Sequence, residues 1–156
     1  MRINFRLIFI LFGIILILKT TEAQQKSRVN IEHADALRYN DKLGKDVQRL
    51  IGKVVIRQDS TLFYCDSAYI NEANNSFEAF SNVHIKVNDT VDVYGSRLLY
   101  DGNSKIAELF DNVKLVDKNT ILTTDHLIYN RNTKTALYDI GGKIVNKDNI
   151  LVSKQG

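Results

Sequence analysis

The chain has 156 residues, enough for one substantial core; a hydrophobic fraction of 44% with 25% charged residues excludes wholesale disorder. The net charge of +3 belongs to the N-terminus: setting aside Arg2, Arg6, Lys19 and Glu22 takes 21 basic and 18 acidic residues to 18 and 17. With no basic run left, nucleic-acid binding is excluded as a function class.

The first predicted element is a signal peptide over 1–23. Arg2 and Arg6 precede an apolar run from Leu7 to Leu18, and Thr21-Glu22-Ala23 puts small residues at −3 and −1 of a cleavage site after Ala23. The run spans only about 18 Å as a helix, short of a ~30 Å hydrocarbon core, which argues against a membrane anchor. No cysteine near the site indicates a lipid-anchored form. The remaining 24–156 is read as one domain. Cys65 has no partner within the chain, so packing and strand pairing must hold the exported fold, with Cys65 as a small buried side chain.

Beyond residue 30 the chain repeats itself. RLLYDGNSK (97–105) returns as HLIYNRNTK (126–134), and the pattern extends to DALRYN (35–40), DSAYIN (66–71), SRLLYD (96–101) and DHLIYN (125–130), at intervals of 31, 30 and 29 residues. Between these lie GKVVI (52–56), SNVHI (81–85), DNVKL (111–115) and GKIVN (142–146), where a turn residue precedes Val54, Val83, Val113 and Ile144. Each repeat therefore carries two strands. Alternation such as Val83-His84-Ile85-Lys86-Val87 sets the apolar residues on one face. Turn clusters at 74–76, 101–104 and 130–133 supply Asn, Asp and Gly for the reversals. No proline interrupts the strands. The expected fold is all-β, a stack of two-strand rungs with a period of about 30, each copy burying its apolar face against the next.

The inward candidates are Val54, Ile56, Ala68, Ile70, Val83, Ile85, Val87, Leu98, Tyr100, Val113, Leu115, Leu127 and Tyr129. A bulge at Asp66, Ser96 or Asp125 would exchange the inward sets and add Phe63, Val91, Val93 and Leu122.

The DSAYIN…SNVHI pattern, with its GNV-like start and L-x-Y-D/N second strand, resembles the OstA-like (LptA-type) family of periplasmic lipopolysaccharide-transport proteins over residues 28–156. Ser81 and Asp111 stand where that pattern has glycine, and Ile70 where it has tyrosine. The resemblance implies an open β-jellyroll in the periplasm, bridging towards the outer membrane, with lipid A acyl chains carried in an apolar groove lined by the inward candidates. It further implies edge-to-edge pairing with other jellyroll transport components or with further copies of this chain, and energy supplied by an inner-membrane transporter. No cofactor and no enzymatic role are implied.

The residues alone do not separate a groove from a dry core. A structural or adhesive envelope repeat protein, or a glycan-acting solenoid, fits the same pattern. The column Asp35, Asp66, Ser96 and Asp125 reads as capping or solvent-facing side chains rather than a row of ligands, since adjacent carboxylates at strand spacing would repel. His33, His84 and His126 sit at three different places in the repeat with no metal-ligand spacing, and no nucleophile motif accompanies the Ser and Thr residues. The fourth copy stops at Gly156, before its own L-x-Y segment, which suggests a docking edge or, more simply, a piece of a longer array.

Overall fold

The computed structural model describes residues 27–39, 44 and 46–156; the expected signal peptide lies outside them. The strands are β1 (Asn30–His33), β2 (Ala36–Tyr39), β3 (Val47–Gln58), β4 (Thr61–Asn71), β5 (Ser76–Val87), β6 (Val91–Asp101), β7 (Ile106–Asp117), β8 (Thr120–Asn130), β9 (Thr135–Leu137), β10 (Gly142–Asn146) and β11 (Asn149–Ser153). All pair antiparallel in one unclosed sheet, running as a meander from β3 to β8. β1 and β2 cover the two halves of β3, while β9 and β10 cover the two halves of β8 and β11 lies outside β10.

The long strands turn a corner at their midpoints. β3, β5 and β7 each place two successive residues in the left-handed region: Gly52 (φ 78°) and Lys53 (φ 46°), Ser81 (φ 63°) and Asn82 (φ 51°), Asp111 (φ 61°) and Asn112 (φ 53°). Each pair stands opposite one residue of the neighbouring strand, Asp66, Ser96 and Asp125 respectively. These are bulges, which bend the strand and exchange its inward and outward sets. The Asp column secures them: Asp125 Oδ1 accepts from the Asn112 N–H at 3.2 Å, and Asp66 Oδ2 from Asn82 Nδ2 at 2.7 Å. A Cβ at Gly52 would fall 2.4 Å from Asp35 Oδ2, so glycine is required where that carboxylate crosses the corner.

The exchange makes both halves of every strand apolar on the inside, and the sheet folds along its corners into two facing leaves. In the first, Ile56, Phe63, Ile85, Val93, Leu115 and Leu122 lie across from one another in register. In the second, the matching rows are Leu50, Ala68, Ala79, Leu98, Leu109, Leu127 and Ile70, Phe77, Tyr100, Ala107, Tyr129. The leaves meet through aromatic contacts, Phe63 standing 5.0 Å from Phe77 and 4.5 Å from Tyr100 between ring centroids. Each fully buried aliphatic side chain here contributes about 1.5–3 kcal/mol.

Register corrects the sequence alignment of the fourth copy. Val113 and Gly142 both lie opposite Thr124, and Leu115 and Ile144 both lie opposite Leu122. Ile144 therefore continues the row of Ile56, Ile85 and Leu115, and Gly142 takes the place expected to hold the apolar residue after Val54, Val83 and Val113. The reason is steric. Tyr138 is buried, and a Cβ on Gly142 would lie 2.6 Å from its ring.

The repeated turn sequence has its own account. Asn71, Asp101 and Asn130, the last residues of the L-x-Y-D/N segments, accept turn N–H groups: Asn74 at 3.0 Å, Asn103 at 2.8 Å and Asn132 at 2.9 Å. The turn asparagines then reach back one rung, Asn103 Nδ2 to the Asn74 carbonyl and Asn132 Nδ2 to the Ser104 carbonyl, both at 2.9 Å. Equal spacing is needed for this lacing.

Candidate functional site

Folding the sheet at its corners leaves a seam between the hairpin turns at 59–60, 88–90 and 118–119 and those at 72–75, 102–105 and 131–134. Of the inward candidates, Val54, Ile56, Ala68, Ile70, Val83, Ile85, Leu98, Tyr100, Val113, Leu115, Leu127 and Tyr129 are buried, and Val87 is half-buried at the seam. The conditional set also faces inward: Phe63, Val93 and Leu122 are buried and Val91 packs beside them. Sequence reading missed Leu50, Phe77, Ala79, Ala107 and Leu109, which are equally buried. Their period of two was visible, but outward Phe80 and Phe110 next to the corners hid its phase.

One end of the seam is bridged by a polar network. Gln58 is fully buried and donates from Nε2 to the carbonyls of Gly102 at 2.8 Å and Ser27 at 3.1 Å. Its Oε1 accepts from the Tyr100 hydroxyl and, at 2.9 Å, from Arg131 Nη1, which also donates to the Tyr100 oxygen. Arg131 Nη2 reaches the Gln58 carbonyl at 3.3 Å and stands 3.9 Å from Asp59 Oδ2, which pairs with Lys105 Nζ at 2.7 Å. The Lys105 hydrogen bond, with one from Ser27, holds the Asp59 carboxyl below its ordinary range. Burial pushes the Tyr100 hydroxyl up to about 12 despite the adjacent guanidinium, so it stays protonated as a donor. Arg131 is the position at which HLIYNRNTK departs from the glycine of RLLYDGNSK. That departure was the one sequence signal for the bridge.

Beside the bridge the seam widens into a cleft of about 530 Å³, within the ~300–1,000 Å³ usual for ligand sites. Its floor is Val87, Val91, Leu115, Tyr129 and Ala136; its rim carries Lys105, Lys118, Arg131 and Lys134 with Asp59 and Asp117. The inner rows emerge at both ends of the stack, where Leu37 (45% exposed) and Tyr39 (69%) continue the second leaf past β3 and Leu151 (57%) continues the first past β10.

The remaining reactive side chains lie away from the seam. Cys65 is buried, and burial pushes its thiol up to about 12, far from a nucleophile's range. His84 stacks on Tyr94 at 4.5 Å and pairs with Asp92 at 2.7 Å on the outer face. His33 meets Asp35 at 3.3 Å. His126 lies between Glu108 at 2.9 Å and Asp139 at 2.8 Å; these bonds, Asp139's first, raise its pKa. Among the described residues, no group of three or more His, Cys, Asp or Glu side chains is arranged to hold a metal ion.

Comparison with known proteins places this geometry. Among solved structures, the chain is similar to the crystal structure of LptH from Pseudomonas aeruginosa, described as the LptA-homologous periplasmic component of the conserved lipopolysaccharide transport device. The match has a TM-score of 0.60 at 16% identity and covers 69% of this chain and 79% of that one, which is a likeness of fold. A search of curated protein sequences gave no match. The family model for OstA-like proteins matches residues 26–156, nearly everything after the expected signal peptide, and the chain belongs to the OstA-like family.

Proposed function

We propose that this protein is a periplasmic lipopolysaccharide-transport component, exported by a signal peptide cleaved after Ala23, that carries lipid A acyl chains between the two leaves on their way to the outer membrane. The observation that carries the reading is the continuous apolar interior, which runs the length of an unclosed sheet and emerges at Leu37 and Tyr39 at one end and Leu151 at the other. Family membership and the fold shared with a lipopolysaccharide-transport protein support it. Transfer of chains from water to this lining is favourable by about 0.8 kcal/mol per CH₂. Carriage requires no bond making or breaking by this chain, so the protein acts as a carrier and not as an enzyme, with energy supplied elsewhere. The exposed rows at both ends fit edge-to-edge stacking on other jellyroll components or on further copies, which would continue the lining from one molecule to the next.

A second reading has its own observation. The interior side chains are buried, the two leaves touch where Phe63 meets Phe77 and Tyr100, and Arg131 bridges the seam, as a structural envelope protein with a closed core would require. Photocrosslinking in cells separates the two, with the crosslinker at inward Ile85 and at its outward neighbour Lys86. A lipopolysaccharide adduct at Ile85 and none at Lys86 is expected. Absence of adducts at Ile85, Val113 and Tyr129 in exported, folded protein would leave the closed core as the function's frame.

A further inference from the structure

We propose that the outer face of the first leaf, across β7, β8, β10 and β11, docks on an anionic lipid surface. This is the side of the sheet turned away from the interior, so the proposal goes beyond the carrying reading and does not depend on what the two leaves hold.

Three successive side chains of β11 are apolar and exposed: Ile150 (63%), Leu151 (57%) and Val152 (73%). Leu151 lies opposite Ile144 and continues the inward row, so a further strand added at this edge would cover it. Ile150 and Val152 point the other way, and lateral pairing of strands leaves them bare. A strand that is apolar on both sides is the kind that is covered on both. The two are not isolated. Register sets Val116, Ile121, Val145 and Ile150 in one outward line across four strands, alternating with the inward row of Leu115, Leu122, Ile144 and Leu151. The neighbouring outward line runs through Tyr94, Lys114, Thr123, Lys143 and Val152. A contiguous apolar strip bordered by polar side chains is the pattern of a protein or membrane contact.

Charge selects the occupant. Lys114 and Lys143 are exposed and form no ion pair among the described residues. The carboxylate beside them on this face, Asp92 opposite Val116, is paired with His84 at 2.7 Å. Lysines beside an apolar strip suit a bilayer interface, where the aliphatic stems lie with the acyl boundary and the ammonium groups reach anionic head groups. Tyr94 at the border has the same two-sided character. A second copy fits less well, because a two-fold contact through this strip would bring the same lysines together, like charge against like.

The test is co-flotation of the folded mature chain with vesicles of phosphatidylcholine, and with vesicles of phosphatidylcholine and phosphatidylglycerol mixed. Binding to the mixed vesicles is expected, and little to the neutral ones. A lysine near an anionic surface contributes about fivefold, so Lys114→Gln with Lys143→Gln should weaken binding about 25-fold. Ile150→Ser with Val152→Ser should weaken it by about tenfold or more through loss of apolar burial. Raising salt from about 0.1 M to about 1 M, which shortens the Debye length from ~10 Å to ~3 Å, should remove the preference for the anionic vesicles. All four positions are exposed or at the outer face, so folding is preserved, and circular dichroism checks it. Leu151→Ser, on the inward side of the same strand, should leave vesicle binding unchanged; loss of binding there and not in Ile150→Ser with Val152→Ser would assign the contact to the interior and overturn the proposal. Equal binding to both vesicle types would overturn its anionic half. No vesicle binding would overturn it outright, and self-association in sedimentation velocity that Ile150→Ser with Val152→Ser abolishes would then give the face to a second copy. None of these outcomes touches the crosslinking test of the interior.

Discussion

Replacing Arg131 with methionine removes the cation that bridges the seam but keeps a flexible apolar stem over Phe63 and Tyr100, whose ring centroids lie 5.9 Å from the guanidinium carbon. Lost are the Nη1 bonds to Gln58 Oε1 at 2.9 Å and to the Tyr100 oxygen, and a longer one to the Gln58 carbonyl at 3.3 Å. Hydrogen bonds to a charged donor contribute about 1.5–3 kcal/mol each before the compensating release of a desolvated guanidinium. The 3.9 Å pair with the half-exposed Asp59 adds less than about 1 kcal/mol. We expect a net cost of about 2–4 kcal/mol, a melting temperature lower by roughly 10 °C for a domain of this size. Tyr100→Phe alone should cost about 1 kcal/mol, because Gln58 Oε1 and Arg131 Nη1 stay bonded to each other. The two should not add, since the Tyr100 oxygen is shared by both partners. Urea unfolding of the wild type, both single variants and the double variant measures the coupling. Melting of Arg131→Met within about 2 °C of wild type, or additivity of the two substitutions, would show that the bridge does not hold the leaves together.

Three further outcomes follow from other parts of the molecule. His126 has its pKa raised by Asp139 and Glu108, so its charged form favours the folded state. That contribution is complete below the unfolded value near 6.5 and is lost as pH rises through the higher folded value; unfolding free energy should fall from pH 6 to pH 8 in the wild type and fall less in His126→Asn. Gly142→Val should destabilise by about 1–3 kcal/mol through overlap with the Tyr138 ring, and adding Tyr138→Leu should recover much of it by recreating the Leu109 and Val113 pair of the preceding rung. A thiol reagent should leave Cys65 unmodified in the native protein and label it once the chain is unfolded in denaturant; rapid native labelling would contradict its burial.

Much of the architecture was legible because it is written in short-range terms. A two-residue alternation fixes which side chains share a face, and a recurrence near 30 residues fixes that the faces stack, so the inward rows through Val83, Ile85, Leu98 and Tyr129 followed from counting. The L-x-Y-D/N segments announced turns that their last residue caps. What counting could not supply was the phase across each corner. Ser81-Asn82 and Asp111-Asn112 read as turn residues ahead of a strand, and only their left-handed backbone within β5 and β7 shows that two residues stand against one. This hid Phe77, Ala79 and Leu109 from the inward set and put Ile144 in the row where Gly142 belongs.

By itself the sequence determined that the protein is an all-β repeat with one apolar face, since periodicity and turn chemistry are local properties of the chain. The tertiary structure decided that the two halves of each strand face each other, that Gln58, Tyr100 and Arg131 meet across 73 residues of chain, and that a charged rim lies over an apolar floor at the seam. Those contacts depend on the bend at each corner. A bend is set by which residue opposes which on the neighbouring strand, and that is a property of pairing that no single segment carries.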